Sequence, residues 1–150
     1  PYVSAYGYTK QLSEAIAKGI RESGDIDVRS YDMVEADAAA VSRELAFADG
    51  FLLGTPTILG EALAPIWQLT LDMLPPTHKG KLASAFGSYG WSGEGVPHIL
   101  ERLKQLKLKV REGYRVRFKP SEAQLTGAYE FGYSFGCALL GKADPYAPTP

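Results

Sequence analysis

Gly50-Phe51-Leu52-Leu53-Gly54 is an unbroken apolar run with helical periodicity on either side of it. A strand with no polar alternation must be covered on both faces. Such strands belong to parallel sheets sandwiched between helices, and the order of signals along the chain fits that architecture. From Thr9 to Ser23, Leu12, Ala15, Ile16, Gly19 and Ile20 form one helical stripe, which Gly24 ends. Ile26 to Tyr31 reads as a strand, and Asp37 to Ala48 as a helix capped by Asp37. A third helix runs from Pro65 to Leu74 and is stopped by Pro75-Pro76. Leu82 to Ser88 is the next strand and Gly93 to Leu106 the next helix. Val110 to Phe118 carries the last strand, and Ser121-x-x-Gln124 is a capping box that opens the final helix. The expected total is five strands and five helices.

The 150 residues suit one domain, 45% hydrophobic and 22% charged. Net charge is −1, so the basic excess that nucleic acid or a membrane surface demands is missing. No apolar run has the length of a membrane span, and the N-terminus shows no signal-peptide pattern. Cys137 is the single cysteine, which excludes an internal disulfide and suits a reducing cytoplasm. Only three residues, Pro1-Tyr2-Val3, precede Ser4, where a buried strand needs about five or six. The start of that strand is therefore expected upstream of Pro1. A folded domain over residues 1–141 is expected, with 142–150, which holds three prolines, as a linker or tail.

In open parallel sheets, ligands bind beyond the C-terminal ends of the strands. Three loops occupy such positions. The first is Ser4-Ala5-Tyr6-Gly7-Tyr8-Thr9, between a strand end and a helix N-terminus. Its hydroxyls, backbone N–H groups and helix dipole suit a phosphate monoester, and Gly7 permits the tight turn. It has no lysine and no G-x-G-x-x-G pattern, so neither a triphosphate loop nor a dinucleotide site is indicated. An ordinary helix-capping turn is the alternative reading. The second loop, Gly54-Thr55-Pro56-Thr57-Ile58-Leu59-Gly60, can line a flat ligand while Thr57 donates a hydrogen bond. The third is Gly87-Ser88-Tyr89-Gly90-Trp91-Ser92-Gly93-Glu94. Its two aromatics either stack on a planar ring or plug a gap between loop and helix.

Four stretches carry a resemblance to a known family: Val3 to Thr9, Ala48 to Thr57, Lys79 to Glu94 and Val116 to Glu122. The chain resembles the flavodoxin-like FMN domain of the A-type flavoproteins, or flavodiiron proteins, over nearly its whole length. The resemblance implies a doubly wound, five-stranded parallel α/β sheet of order 2-1-3-4-5, with helices on both faces. It implies FMN as cofactor, with the phosphate held by Ser4, Ala5, Tyr6, Gly7, Tyr8 and Thr9. The ribityl chain and isoalloxazine would be held by Pro56, Thr57, Ile58, Leu59 and Gly60 and by Ser88, Tyr89, Gly90, Trp91 and Gly93. Two positions depart from the family: Leu59, at or beside a frequent Asn, and Tyr8, where Asn or Thr is common.

The function so implied is electron relay from a reductase or rubredoxin-like donor to a diiron centre on a separate metallo-β-lactamase-like domain, where dioxygen or nitric oxide is reduced. An FMN-dependent NAD(P)H:quinone or flavin reductase is the alternative. This chain is not itself the diiron domain, because His78 and His98 belong to no clustered ligand pattern. His78 reads as a solvated loop residue and His98 as part of the polar side of its helix. Trp67 reads as packing, Cys137 as a small buried hydrophobe and Glu94 as a complement to a helix dipole.

Overall fold

The computed structural model describes residues 1–2, 7–58, 61–89 and 93–146. Its strands are β1 (Gly50–Gly54), β2 (Thr57–Ile58), β3 (Glu61–Ala62), β4 (Leu82–Tyr89), β5 (Lys109–Val110) and β6 (Tyr114–Arg117). Its helices are α1 (Tyr8–Ser23), α2 (Ala38–Phe47), α3 (Ala64–Leu71), α4 (Pro75–His78), α5 (Gly95–Gln105) and α6 (Glu122–Leu140). β4 is the central strand. It pairs in parallel with all five residues of β1, from Gly50↔Leu82 to Gly54↔Phe86, and on its other side with β5 and β6. Tyr2 bridges Gly54 and Asp32, both in parallel.

The period of the strands sorts the core into two layers. Phe51, Leu53, Ala83 and Ala85 face Val41, Leu45, Ile66, Leu69, Val96, Ile99 and Leu103 of α2, α3 and α5. Leu52, Leu82, Phe86 and Val116 face Leu12, Ile16, Ile20, Ala128 and Phe135 of α1 and α6. Helices thus cover both faces, as the polar-free run of β1 requires. α1 and α6 pack backbone to backbone. A Cβ on Gly19 would lie 2.0 Å from the Tyr129 carbonyl oxygen, and one on Gly132 would lie 2.1 Å from that of Ile16.

Local signals at the helix ends hold. Asp37 accepts from the Ala39 N–H, and the capping box of Ser121 and Gln124 is fully formed. Four expectations need correction. Ile26 to Tyr31 forms no ladder, and only Asp32, just beyond it, makes a bridge. This segment faces a cleft rather than a neighbouring strand. The single strand expected over Val110 to Phe118 is split into β5 and β6. The Ser84 hydroxyl is directed at the carbonyls of Arg111 and Glu112, at 2.9 and 3.1 Å, and takes the place of ladder bonds there. β2 and β3 form a short hairpin that was not anticipated, with Thr57 also bridging Tyr89. Pro75 begins the one-turn helix α4, which carries His78 into the core at 4% exposure, so His78 is no solvated loop residue. The Leu74 carbonyl oxygen lies 3.2 Å from its Nδ1.

Candidate functional site

α1 opens on Gly7 in the left-handed conformation, with φ 80°, and Gly7 brings no side chain to cap the helix. The first turn of α1 holds no acidic residue. A helix start with neither cap nor carboxylate directs its N–H donors and positive dipole end at whatever anion lies beyond it. Among the described residues, a Cβ on Gly7 would meet nothing within 4 Å. These features fit a phosphate monoester.

The three loops are tied together beneath their surface. Thr9 and Ser88 are both buried, and their hydroxyl oxygens lie 3.3 Å apart, joining the first loop to the third. The Gly95 N–H, at the start of α5, donates to Thr57 Oγ1 at 2.9 Å and joins the third loop to the second. A Cβ on Gly95 would stand 2.7 Å from that oxygen, so the contact requires glycine. Thr55 is fully buried. Its hydroxyl donates to the Pro56 carbonyl and accepts from the Leu63 N–H, at 2.9 and 3.0 Å, which fixes the shape of the second loop. Arg115 of β6 donates from Nη1 to the Gly93 carbonyl at 2.8 Å.

Of the residues singled out by sequence, Gly7, Tyr8, Thr57, Tyr89 and Gly93 are half-buried. Thr9, Pro56 and Ser88 are buried and act from below. Ile58 is placed by its backbone in β2. Ser4, Ala5, Tyr6, Leu59, Gly60, Gly90 and Trp91 lie outside the described residues. Thr55 stood in the second loop without an assigned role, and Gly95 and Arg115 were missed. The partners of Gly95 and Arg115 lie 38 and 22 residues away, and no local pattern announces them. Phe118 was read as the end of the last strand and as part of a family stretch, with no role in the site. It adopts φ 57°, its N–H donates to the Tyr89 carbonyl at 2.7 Å, and its ring is 52% exposed beside the Arg117 guanidinium.

A cavity of about 960 Å3 lies at the other end of the sheet, between residues 25–31 and β1. No described residue of the three loops borders it, and the N-terminal strand residues Gly50, Leu82 and Lys109 do. Among the described residues, no three His, Cys, Asp or Glu side chains come together as a metal site. Among them, too, no helix is long and apolar enough to cross a membrane.

The flavodoxin family profile matches residues 1–132. The chain is 43% identical over 140 residues to the flavo-diiron protein FprA2 of Clostridium acetobutylicum, an alignment covering 92% of this chain and 35% of that protein. Among solved structures it resembles the flavodiiron core of Flv1 from Synechocystis, with a TM-score of 0.86 and 33% identity, over 93% of this chain and 35% of that one. It also resembles an archaeal flavodoxin, with a TM-score of 0.82 and 28% identity, over 93% of this chain and 95% of that one. The chain spans about a third of the length of the flavodiiron relatives it matches.

Proposed function

Because the chain belongs to the flavodoxin family, we propose that it is the electron-relay domain of a flavodiiron protein. Its cofactor is FMN, which supplies one- and two-electron redox chemistry when bound. The observation that carries the reading is the joining of three loops at the C-terminal end of the sheet by Thr9–Ser88, Thr57–Gly95 and Arg115–Gly93. The uncapped start of α1 takes the phosphate, and the second and third loops take the ribityl chain and the ring. No general acid, base or nucleophile is needed from these residues. They bind, orient and exclude water around the cofactor.

In this reading the acceptor is a diiron centre on a metallo-β-lactamase-like domain of the same longer polypeptide or of a dimer mate. The donor is a reductase or a rubredoxin-like protein, and the setting is the cytoplasm. Similarity to flavodiiron proteins three times as long as this chain supports the first of these. The test has two parts. Denatured protein should release FMN and not FAD on chromatography. In the full-length protein, rapid mixing with a donor should show flavin reduction followed by electron loss to iron. Release of FAD, or direct reduction of a quinone by NADPH with no second centre required, would overturn the assignment.

A further inference from the structure

We propose that Arg115 is a positioning residue for the third loop and that its charge favours added negative charge on the bound flavin, an inference that rests on the FMN reading above. The sheet fixes where this side chain can go. Arg115 stands opposite Gly87 in the β4–β6 ladder, with Val116 opposite Ser88. Val116 points into the α1–α6 layer, so Arg115 lies on the opposite face, toward α5. From there its Nη1 reaches the Gly93 carbonyl at 2.8 Å.

Gly93 is closely held. A Cβ on it would come within 3.0 Å of Arg115 Nη1 and 3.1 Å of the Tyr89 ring. Two residues later the Gly95 N–H is fixed by Thr57. The exit of the third loop is therefore pinned at one carbonyl and one N–H. The N-terminal end of α5 carries partial positive charge, and Glu94 at its cap position brings a carboxylate to the same place. Among the described residues Arg115 makes no ion pair. Its only recorded partner there is the neutral Gly93 carbonyl. The charge of Arg115 and the dipole of α5 add to each other and oppose the Glu94 carboxylate, so loss of the guanidinium leaves that end of the loop more negative. Each electron added to the flavin brings negative charge into that field. Arg115 is exposed, so the effect is moderate and weakens with salt.

Arg115→Gln and Arg115→Lys in the full-length holoprotein test this. The readouts are FMN affinity, the flavin's one-electron potentials at low and high salt, and amide exchange at Glu94 and Gly95 in flavin-free protein. Arg115→Gln should weaken FMN by about tenfold and speed exchange at both amides. It should lower the equilibrium constants for reduction by roughly three- to tenfold at low salt, tenfold being about 59 mV per electron. High salt should shrink that difference. Arg115→Lys should speed exchange yet hold the potentials within about twofold of the parent, since it keeps the charge and loses the planar fork. Faster exchange with unchanged potentials in Arg115→Gln would overturn the proposal, leaving only a structural clamp. No change in any readout would overturn it as well. A parent protein that takes up no FMN overturns the functional reading, and this inference with it, before any substitution is made.

Discussion

At the scale of single residues, the site depends on hydroxyls that serve the backbone. Thr57 Oγ1 accepts the first N–H of α5, which leaves its own proton available to a ligand. Thr57→Val keeps the shape and strands that N–H. It should lower stability by about 1–2 kcal/mol in urea denaturation and weaken FMN. Tyr114 shows the same economy on the far side of the sheet. Its hydroxyl donates to the Gln124 carbonyl at 2.7 Å, and burial, then Glu130, raises its pKa above the ordinary tyrosine value. A raised folded-state pKa means that the neutral form is favoured by folding. That contribution is complete below about pH 10 and is lost as pH climbs past it. Tyr114→Phe should therefore be less stable by about 1 kcal/mol at neutral pH, and the gap should close in alkali. Comparing denaturation midpoints at pH 7 and above pH 10 would show whether it does. Thr57 and Gly7 stood out in the sequence because they sit in loops with a recognisable local logic. Arg115 and Ser84 did not. Their partners lie 22 and 27 or more residues away, and nothing in Tyr114-Arg115-Val116 distinguishes a clamp from a solvated strand residue.

At the scale of elements, legibility followed how far each one's stabilisation is local. α1 and α5 present long apolar stripes, and Ser121 with Gln124 closes a box within four residues, so these were readable. Ser121→Ala should cost about 1 kcal/mol in thermal or urea unfolding. The segment from Ile26 to Tyr31 has strand-like composition, but pairing is a property of the neighbour as well as of the segment. The division of β5 from β6 depends on Ser84, far away in β4. The seam between α1 and α6 was half visible. Gly19 fell on the apolar stripe of α1, but the close approach of Gly19 and Gly132 to backbone appears only in three dimensions. Gly132→Ala would place a methyl 2.1 Å from the Ile16 carbonyl oxygen and force the helices apart. The expected loss is about 1–3 kcal/mol, measured as a lower denaturant midpoint. With the phosphate at the start of α1, as proposed above, FMN affinity should fall with it.

For the whole molecule, cofactor and fold are thermodynamically linked. A ligand that binds only the folded state at about 100 times its dissociation constant adds about 2.7 kcal/mol of stability. Removing FMN should lower the melting temperature, and riboflavin, which has no phosphate for the start of α1, should restore less of it. An equal rescue by the two would place the phosphate elsewhere.

The cleft beside β1 has a consequence of another kind. Among the described residues, only Gly54 of β1 is bridged on the side away from β4. The rest of that edge looks across the cleft toward residues 25–31. An open backbone edge with an apolar floor is a template that any extended chain can read, including another copy of the same molecule. Asp25, Asp27 and Arg29 on the opposite wall act as gatekeepers, since a strand entering there must pass their charges. Wherever no segment of a longer polypeptide covers that edge, the molecule should self-associate as its concentration rises, which sedimentation velocity would reveal. Ile26→Lys, adding charge to that wall, should suppress it. Since the cleft and the loops proposed to hold the flavin occupy opposite ends of the sheet, the assemblies should stay yellow: on that proposal clumping would proceed with the redox end of every molecule still intact and facing solvent.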